Sequence, residues 1–476
     1  MSDAARDVPT FAVVGHPNKG KSSIVSTLAH DDSVRIAPEP GTTRVCRKYP
    51  MKLDGRVQYV LVDTPGFQRA RKALAWMRER ETRADLHRAV VEAFVAAERG
   101  SGRFDDECEL LTPVLEGAGI LYVVDGSVPY GPEYEPEMEI LRWTGEPSMA
   151  LINPIGKADH IAAWRAALSQ YFKIVRVFDA LTAPFEKRLE LLQAFGALRE
   201  SWRAPLEEAV RALTQEREQV RARVARLIAE LLVDALSLSV SKPLPDGVEP
   251  REFEAALERE YHEALRERER VARLRVEEVY GHNEIERRED TFSLSDQDLF
   301  SVEHWVLWGL RRRQLVATGA AGGALAGGAL DAAVGGASLM LGAVFGAAAG
   351  AAAALWSSFR LETARIQGLP LGGRELRCGP TRNRNFPWVL LGRALHHNAR
   401  LAGRTHADRG ALELEEAGGP SWAERIESSR RTALERIFGR LRDGDTDPAL
   451  TEDLALLLGP IVAQADVAPG VSQAGR

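Results

Sequence analysis

Cysteine is almost absent from this chain of 476 residues: Cys46, Cys108 and Cys378 are its three, and they stand far apart. That scarcity excludes a disulfide framework and a cysteine-built zinc site, and makes a reducing cytosol the natural setting. An excess of charge of one sign is also lacking. Lys plus Arg number 62 and Asp plus Glu 68, for a net charge of −6. This excludes a polycationic nucleic-acid binder and an acidic disordered tail protein. The opening Met1-Ser-Asp-Ala-Ala-Arg-Asp7 has no positive region followed by an apolar run, so no secretory signal is expected. Length, by contrast, is ample. Single cores stop growing near ~250–300 residues, so two or three domains are expected.

Residues 8–200 alternate short apolar runs with helical patterns, which predicts an α/β domain with a mostly parallel sheet. The expected strands are Thr10–Val14, Arg44–Leu53, Val57–Val62, Gly119–Val124, Ser148–Ile152 and Lys173–Phe178, with a long helical insertion between Gln68 and Glu116. Several are continuously apolar, as strands covered on both faces should be. A mainly α-helical region follows. Leu206, Val210, Leu213, Val220, Val224, Leu227 and Leu231 form a seam interrupted at Arg217. Lys242–Pro250 reads as a turn, and a second charged helix carries Phe253, Leu257, Tyr261 and Ala264 on one stripe. The expected division is 8–200, long paired helices over 205–314, a Gly/Ala-rich segment over 315–356, a small mixed module over 361–463 and a disordered tail over 464–476.

The chemistry concentrates near the start. Gly15-His-Pro-Asn-Lys-Gly20-Lys21-Ser22 has the spacing G-x-x-x-x-G-K-S, with an apolar strand leading in and an amphipathic helix leading out. In such a loop the backbone amides turn inward on a phosphate, a lysine adds charge to the β and γ oxygens, and the serine hydroxyl ligates Mg²⁺. The nucleotide-binding set is then Gly15, Asn18, Lys19, Gly20, Lys21, Ser22 and Ser23. Asp63-Thr-Pro-Gly66 ends the strand Tyr59–Val62, where Asp63 can hold the water shell of Mg²⁺ and the Gly66 amide can meet a γ-phosphate. Between them, Thr43 in Pro40-Gly-Thr-Thr-Arg44 stands where a switch threonine would close on the metal. Ser22, Thr43 and Asp63 are the expected metal ligands, and Lys21, Thr43, Asp63 and Gly66 the expected catalytic group.

The set G-x-P-N-x-G-K-S, G-T-T-R and D-T-P-G resembles the Era/TrmE branch of the translation-factor-related bacterial P-loop GTPases. The later arrangement resembles a bacterial GTPase family with an uncharacterised C-terminal domain. The resemblance implies GTP/GDP and Mg²⁺ as ligands and a switch cycle. In TrmE-like members the asparagine at the position of Asn18 helps to hold K⁺. The branch lacks the water-orienting glutamine, and Phe67 stands in its place. Intrinsic hydrolysis is therefore expected to be slow, with an ion, a partner or self-association accelerating it.

One motif departs from the pattern. Guanine is read by N-K-x-D, whereas the strand Met149–Ile152 runs into Asn153-Pro-Ile-Gly-Lys157-Ala-Asp159. Either Asn153 and Asp159 cooperate across a three-residue insertion, or Lys157 and Asp159 fill the motif with Gly156 in the asparagine's place. Asp159 also suits a cap for the helix expected at Ile161–Leu168.

In 315–356, 27 of 42 residues are Gly or Ala and Asp331 is the one charge. Gly319, Gly323 and Gly327, and again Gly342, Gly346 and Gly350, make smooth ridges for close helix approach. A break at Gly335-Gly336-Ala-Ser338 leaves arms of roughly 20 and 18 residues, each near spanning length. Flanking arginines at 311–313, 360 and 365 keep both ends cytoplasmic. The expectation is a cytoplasmic protein attached to or inserted in the inner membrane. A tightly packed soluble helix pair would carry the same spacing. No RNA-binding module with a basic face follows the GTPase-like part, so a nucleic-acid partner is not expected. A membrane scaffold that binds nucleotide without turnover and an Era-like ribosome-associated factor are the rival functions.

Overall fold

Six short runs of the first 200 residues pair into one sheet: β1 (Thr10–Val14), β2 (Arg47–Leu53), β3 (Arg56–Asp63), β4 (Gly119–Asp125), β5 (Ser148–Asn153) and β6 (Val175–Val177). The computed structural model describes residues 8–29, 45–53, 55–245, 247–280, 359–366, 369–403 and 425–467. Thr43, the Gly/Ala-rich segment 315–356 and the residues beyond 467 lie outside these. The strand order is β2-β3-β1-β4-β5-β6. β2 runs antiparallel to β3, and the other pairings are parallel. β2 begins at Arg47 rather than Arg44, and β6, an edge strand paired on one side, is shorter than Lys173–Phe178.

Alternation along the central strands sends side chains to two cores. Ala12, Val14, Ile120, Tyr122, Val124 and Ile152 are buried on one face of the sheet. Phe11, Val13, Leu121, Val123, Met149 and Leu151 are buried on the other. Helices cover both faces, as a parallel sheet requires. α1 (Lys21–Ala29) follows β1, and the insertion forms α2 (Ala70–Arg78), α3 (His87–Glu98) and α4 (Asp105–Leu115). α5 (Glu135–Trp143), α6 (Ile161–Leu168) and α7 (Phe185–Gly196) complete the layers.

The chain divides into two compact units, with the break at Arg217 and Glu218. That break falls inside α8 (Glu200–Ser237), where the seam is interrupted. Leu206, Ala209 and Leu213 are buried in the first unit's core, and Val224, Ile228 and Leu232 in the second's.

In the second unit, Val240–Leu244 forms a strand, β7, where a turn was expected. Its proline is tolerated because β7 is an edge, ordered β7-β9-β8 with β8 (Phe359–Ile366) and β9 (Leu369–Cys378). α9 (Arg251–Val279), α10 (Phe386–Gly403), α11 (Ser428–Arg442) and α12 (Ala449–Val467) share one core with α8, through Leu257, Tyr261, Phe386, Leu395, Phe438 and Leu454 among others. No helix among the described residues is long and apolar enough to cross a membrane.

Candidate nucleotide site

The parallel strands bring their carboxyl ends to one edge of the sheet, the place where open α/β folds bind ligands. Val13 lies opposite Asp63, and Asp125 opposite Asn153. The loop Gly15–Gly20 thus leaves β1 between the ends of β3 and β4 and runs straight into α1.

Its backbone needs its glycines. Gly15 has φ +143° and Gly20 φ +80°, and Asn18, at φ +59°, takes the left-handed conformation that asparagine tolerates. A Cβ on Gly15 would strike the Val123 carbonyl oxygen of β4, and one on Gly20 would strike the Asn153 amide nitrogen. At Gly66 a Cβ would come within 2.6 Å of the Pro17 nitrogen. The loop therefore lies flat against both strand ends. Thr64 Oγ1 donates to Val13 O at 2.7 Å, and the Phe67 amide donates to Gly15 O at 3.2 Å.

Lys21 is buried, and its Nζ donates to His16 O at 2.9 Å and to Gly15 O at 3.3 Å. The ammonium is thus tied to two carbonyls of its own loop. Burial pulls its pKa down to about 8, against the opposing pull of Asp63 and Glu137. Ser22 Oγ donates to Asp63 Oδ2 at 2.9 Å. A hydroxyl and a carboxylate oxygen so placed suit a small hard cation that keeps most of its waters and is shared with phosphates. Lys19 Nζ lies 3.9 Å from Asp125 Oδ2, and Ser23 follows Ser22 on α1.

The base-reading residues separate. Asn153 is buried and joins two loops: its Nδ2 donates to Lys19 O at 3.3 Å, and its Oδ1 accepts the Ala180 amide at 3.2 Å. Asp159 is exposed, and its Oδ1 accepts the Ile161 amide at 3.0 Å at the start of α6. Lys157 is exposed as well. Asn153 is thus brought to the phosphate loop, whereas Asp159 stands at the head of α6, bonded to the first amide of that helix. Phe67 is buried in the core with Val14 and Leu111, pointing away from the phosphate edge.

Glutamates with no motif to mark them stand beside the loop. Glu137 of α5 is buried, and its carboxylate accepts from the Tyr122 hydroxyl at 2.9 Å and pairs with His16 Nδ1 at 2.8 Å. Burial raises its pKa, opposed by His16. Glu107 of α4 accepts the amides of Gln68 and Arg69. A signal for both was present: each acid shares a stripe with aliphatic residues three or four positions on, Leu110 and Leu111 after Glu107 and Ile140 and Leu141 after Glu137.

The state of Lys21 makes an expectation about pH. Burial holds the lysine near pKa 8, whereas a bound phosphate would raise it. Binding above pH 8 must then take up a proton, so affinity is expected to fall as pH rises, approaching tenfold per unit. Calorimetric titration of a nucleoside diphosphate between pH 7 and 9.5, in buffers of different ionisation enthalpy, measures both the slope and the proton. A flat profile with no proton uptake would contradict this account of Lys21.

A glycine-built loop between β1 and α1, a Ser–Asp pair beside it and this strand order define a P-loop domain of the GTPase class. Residues 10–149 match a family model described as "50S ribosome-binding GTPase". Residues 165–453, more than half the chain, match one described as a domain of unknown function, DUF3482, and the chain belongs to that family. Among curated relatives, GTPase Der of Acidithiobacillus ferrooxidans is 43% identical over 68 residues, 14% of this chain and 15% of that protein. GTPase Der of a Thermoanaerobacter species is 29% identical over 166 residues, 35% of this chain and 31% of its own. The chain thus spans less than a third of the length of either. Solved structures of Era are similar at 17% identity and a TM-score of 0.29. One, from Aquifex aeolicus with GDP.AlF4-, is covered over 90% of its chain and covers 58% of this one. Another, with MgGDPNP and part of 16S ribosomal RNA, is covered over 89%.

Proposed function

We propose that the first domain binds GTP with Mg²⁺ and hydrolyses it slowly, as a conformational switch coupled to the helical unit and, through residues 315–356, to the inner membrane. The observation that carries this reading is the convergence of Lys21, Ser22 and Asp63 at the end of β1, with Lys21 bonded to two backbone carbonyls of the loop. A triphosphate entering the loop draws the ammonium off Gly15 and His16 onto its β and γ oxygens, where a charge-assisted bond is stronger than the one given up. Ser22 and Asp63 would hold Mg²⁺, with Thr43 as the third ligand. The ion, when bound, neutralises charge on the β and γ oxygens. The Gly66 amide meets the γ-phosphate, and Asn153 holds the base loop to the phosphate loop.

Slow turnover follows from Phe67, because a side chain buried in the core orients no water. The part assigned to K⁺ at Asn18, and to self-association, rests on the family resemblance. The lipid coupling rests on the sequence of 315–356. An alternative reading, a ribosome-associated factor, draws on the description attached to the model matching 10–149.

Equilibrium binding of GTP, ATP and their diphosphates, followed by single-turnover hydrolysis in potassium and in sodium, with and without liposomes, tests the proposal. GTP is expected to bind more tightly than ATP and to be hydrolysed faster in potassium. Displacement of GTP by equimolar ATP would move the protein to the ATPases. Co-sedimentation with ribosomes and not with liposomes would favour the alternative.

A further inference from the structure

The Gly66 amide can meet a γ-phosphate only if the backbone after Asp63 is held in place; Thr64 and Phe67 tie the buried turn itself to Val13 and Gly15, but Gln68 and Arg69, which follow it, are exposed. Here the chain supplies a clamp from its own insertion. Glu107, buried on α4, accepts the Gln68 amide at 2.9 Å and the Arg69 amide at 2.5 Å with one oxygen, Oε1. Arg69 is tied a second time, its Nη1 donating to Arg103 O at 2.7 Å just before α4. Two residues further along the same helix, Glu109 Oε1 accepts the Cys46 amide at 2.8 Å, and the Cys46 thiol donates to Glu109 O at 3.2 Å. Cys46 directly precedes β2 and stands three residues after Thr43 in sequence.

α4 is a firm anchor for both contacts. Cys108, Leu110, Leu111 and Val114 are buried in the core that also holds Val14 and Phe67. A charged acceptor makes stronger bonds to amides than a carbonyl does, and it makes them at low dielectric here. Nothing in phosphate binding as such requires a carboxylate at 107. Its partners are the amides of the segment that must answer the third phosphate.

We propose that α4 is a built-in reader of the triphosphate state: Glu107 is a positioning residue that presets Gly66 for the γ-phosphate, and Glu109 ties the chain before β2 to the same helix. The proposal rests on the GTPase reading above. A γ-phosphate contact at Gly66 is then felt in α4 through Glu107. The diphosphate, which lacks the third phosphate, does not call on this clamp.

The test is the ratio of affinities for a non-hydrolysable GTP analogue and for GDP, both with Mg²⁺. Glu107→Ala is expected to lower that ratio at least tenfold with GDP affinity within twofold of wild type, and to slow single-turnover hydrolysis. Glu107→Gln keeps the acceptor oxygen and should retain most of the ratio. A purely structural role would move the melting temperature and weaken both nucleotides in parallel, and that result, or an unchanged ratio, would overturn the proposal. Should the alanine variant fail to fold, Glu107→Asp, one methylene too short, reads the same ratio. A wild-type protein that binds no guanine nucleotide would overturn the function reading, and the clamp with it. Tight GDP binding without a change of ratio in the variants overturns the clamp alone.

Discussion

Lys21→Ala is expected to lower nucleotide affinity by two to three orders of magnitude. Hydrogen bonds to charged groups contribute about 1.5–3 kcal/mol each, and the ammonium would make at least two to the β and γ oxygens in a site screened from water. Two such bonds correspond to roughly 10²–10⁴ in Kd, less what Lys21 gives up at Gly15 and His16. Without added nucleotide the variant should melt no lower than wild type, since burial already works against the ammonium and drags its pKa down to about 8. Loss of affinity without loss of stability separates a ligand-binding lysine from a packing one. Fluorescence titration with a labelled diphosphate measures the first and a thermal melt the second. Unchanged affinity would remove the nucleotide site from this loop.

Gly15→Ala should produce the opposite pattern. At φ +143° any side chain is strained, and the new Cβ would meet the Val123 carbonyl, a backbone atom in a central strand that has no room to retreat. Strain of about 1–3 kcal/mol adds to the cost of displacing the loop or β4. The first domain should therefore lose about 10 °C or more of its melting midpoint, and nucleotide binding with it. Circular dichroism melts of the two variants side by side measure the contrast. A Gly15→Ala protein as stable and as tight-binding as wild type would mean that the loop is not wedged between β3 and β4 as described.

The phosphate loop and the strands flanking it were legible because their signals are local: glycines, a lysine and a serine within eight positions, and continuous apolar runs for strands covered on both faces. The base loop was not, since what Asn153 does depends on Lys19 and Ala180, 134 and 27 positions away. The alternatives for Asp159 had equal standing in the sequence, and only its bond to the Ile161 amide places it at the head of α6. β7 was hidden by its own composition. A segment with Pro243 and Pro245 reads as a turn, yet at an edge a proline gives up no needed donor, and β9 supplies the pairing from far along the chain. Glu107 and Glu137 were missed for a related reason. An acid on a leucine stripe looks like a frayed edge of the stripe until the amides or hydroxyl it accepts come into view.

The strand order has a consequence for how the molecule comes into being. Phe11 pairs with Leu61 and with Gly119, so β1 lies between neighbours made 50 and 108 positions later. During synthesis β1 waits, unpaired on one side, until β4 and the helices of the insertion have left the ribosome. Closing so large a loop is slow, because chain entropy is spent before the contacts that repay it form. The helical unit repeats the problem, with Val240 waiting for Cys378. The phosphate loop is thus translated well before the strand that completes its surroundings. A nascent chain stalled before Gly119 would display the whole Gly15–Ser22 motif and still have no nucleotide site.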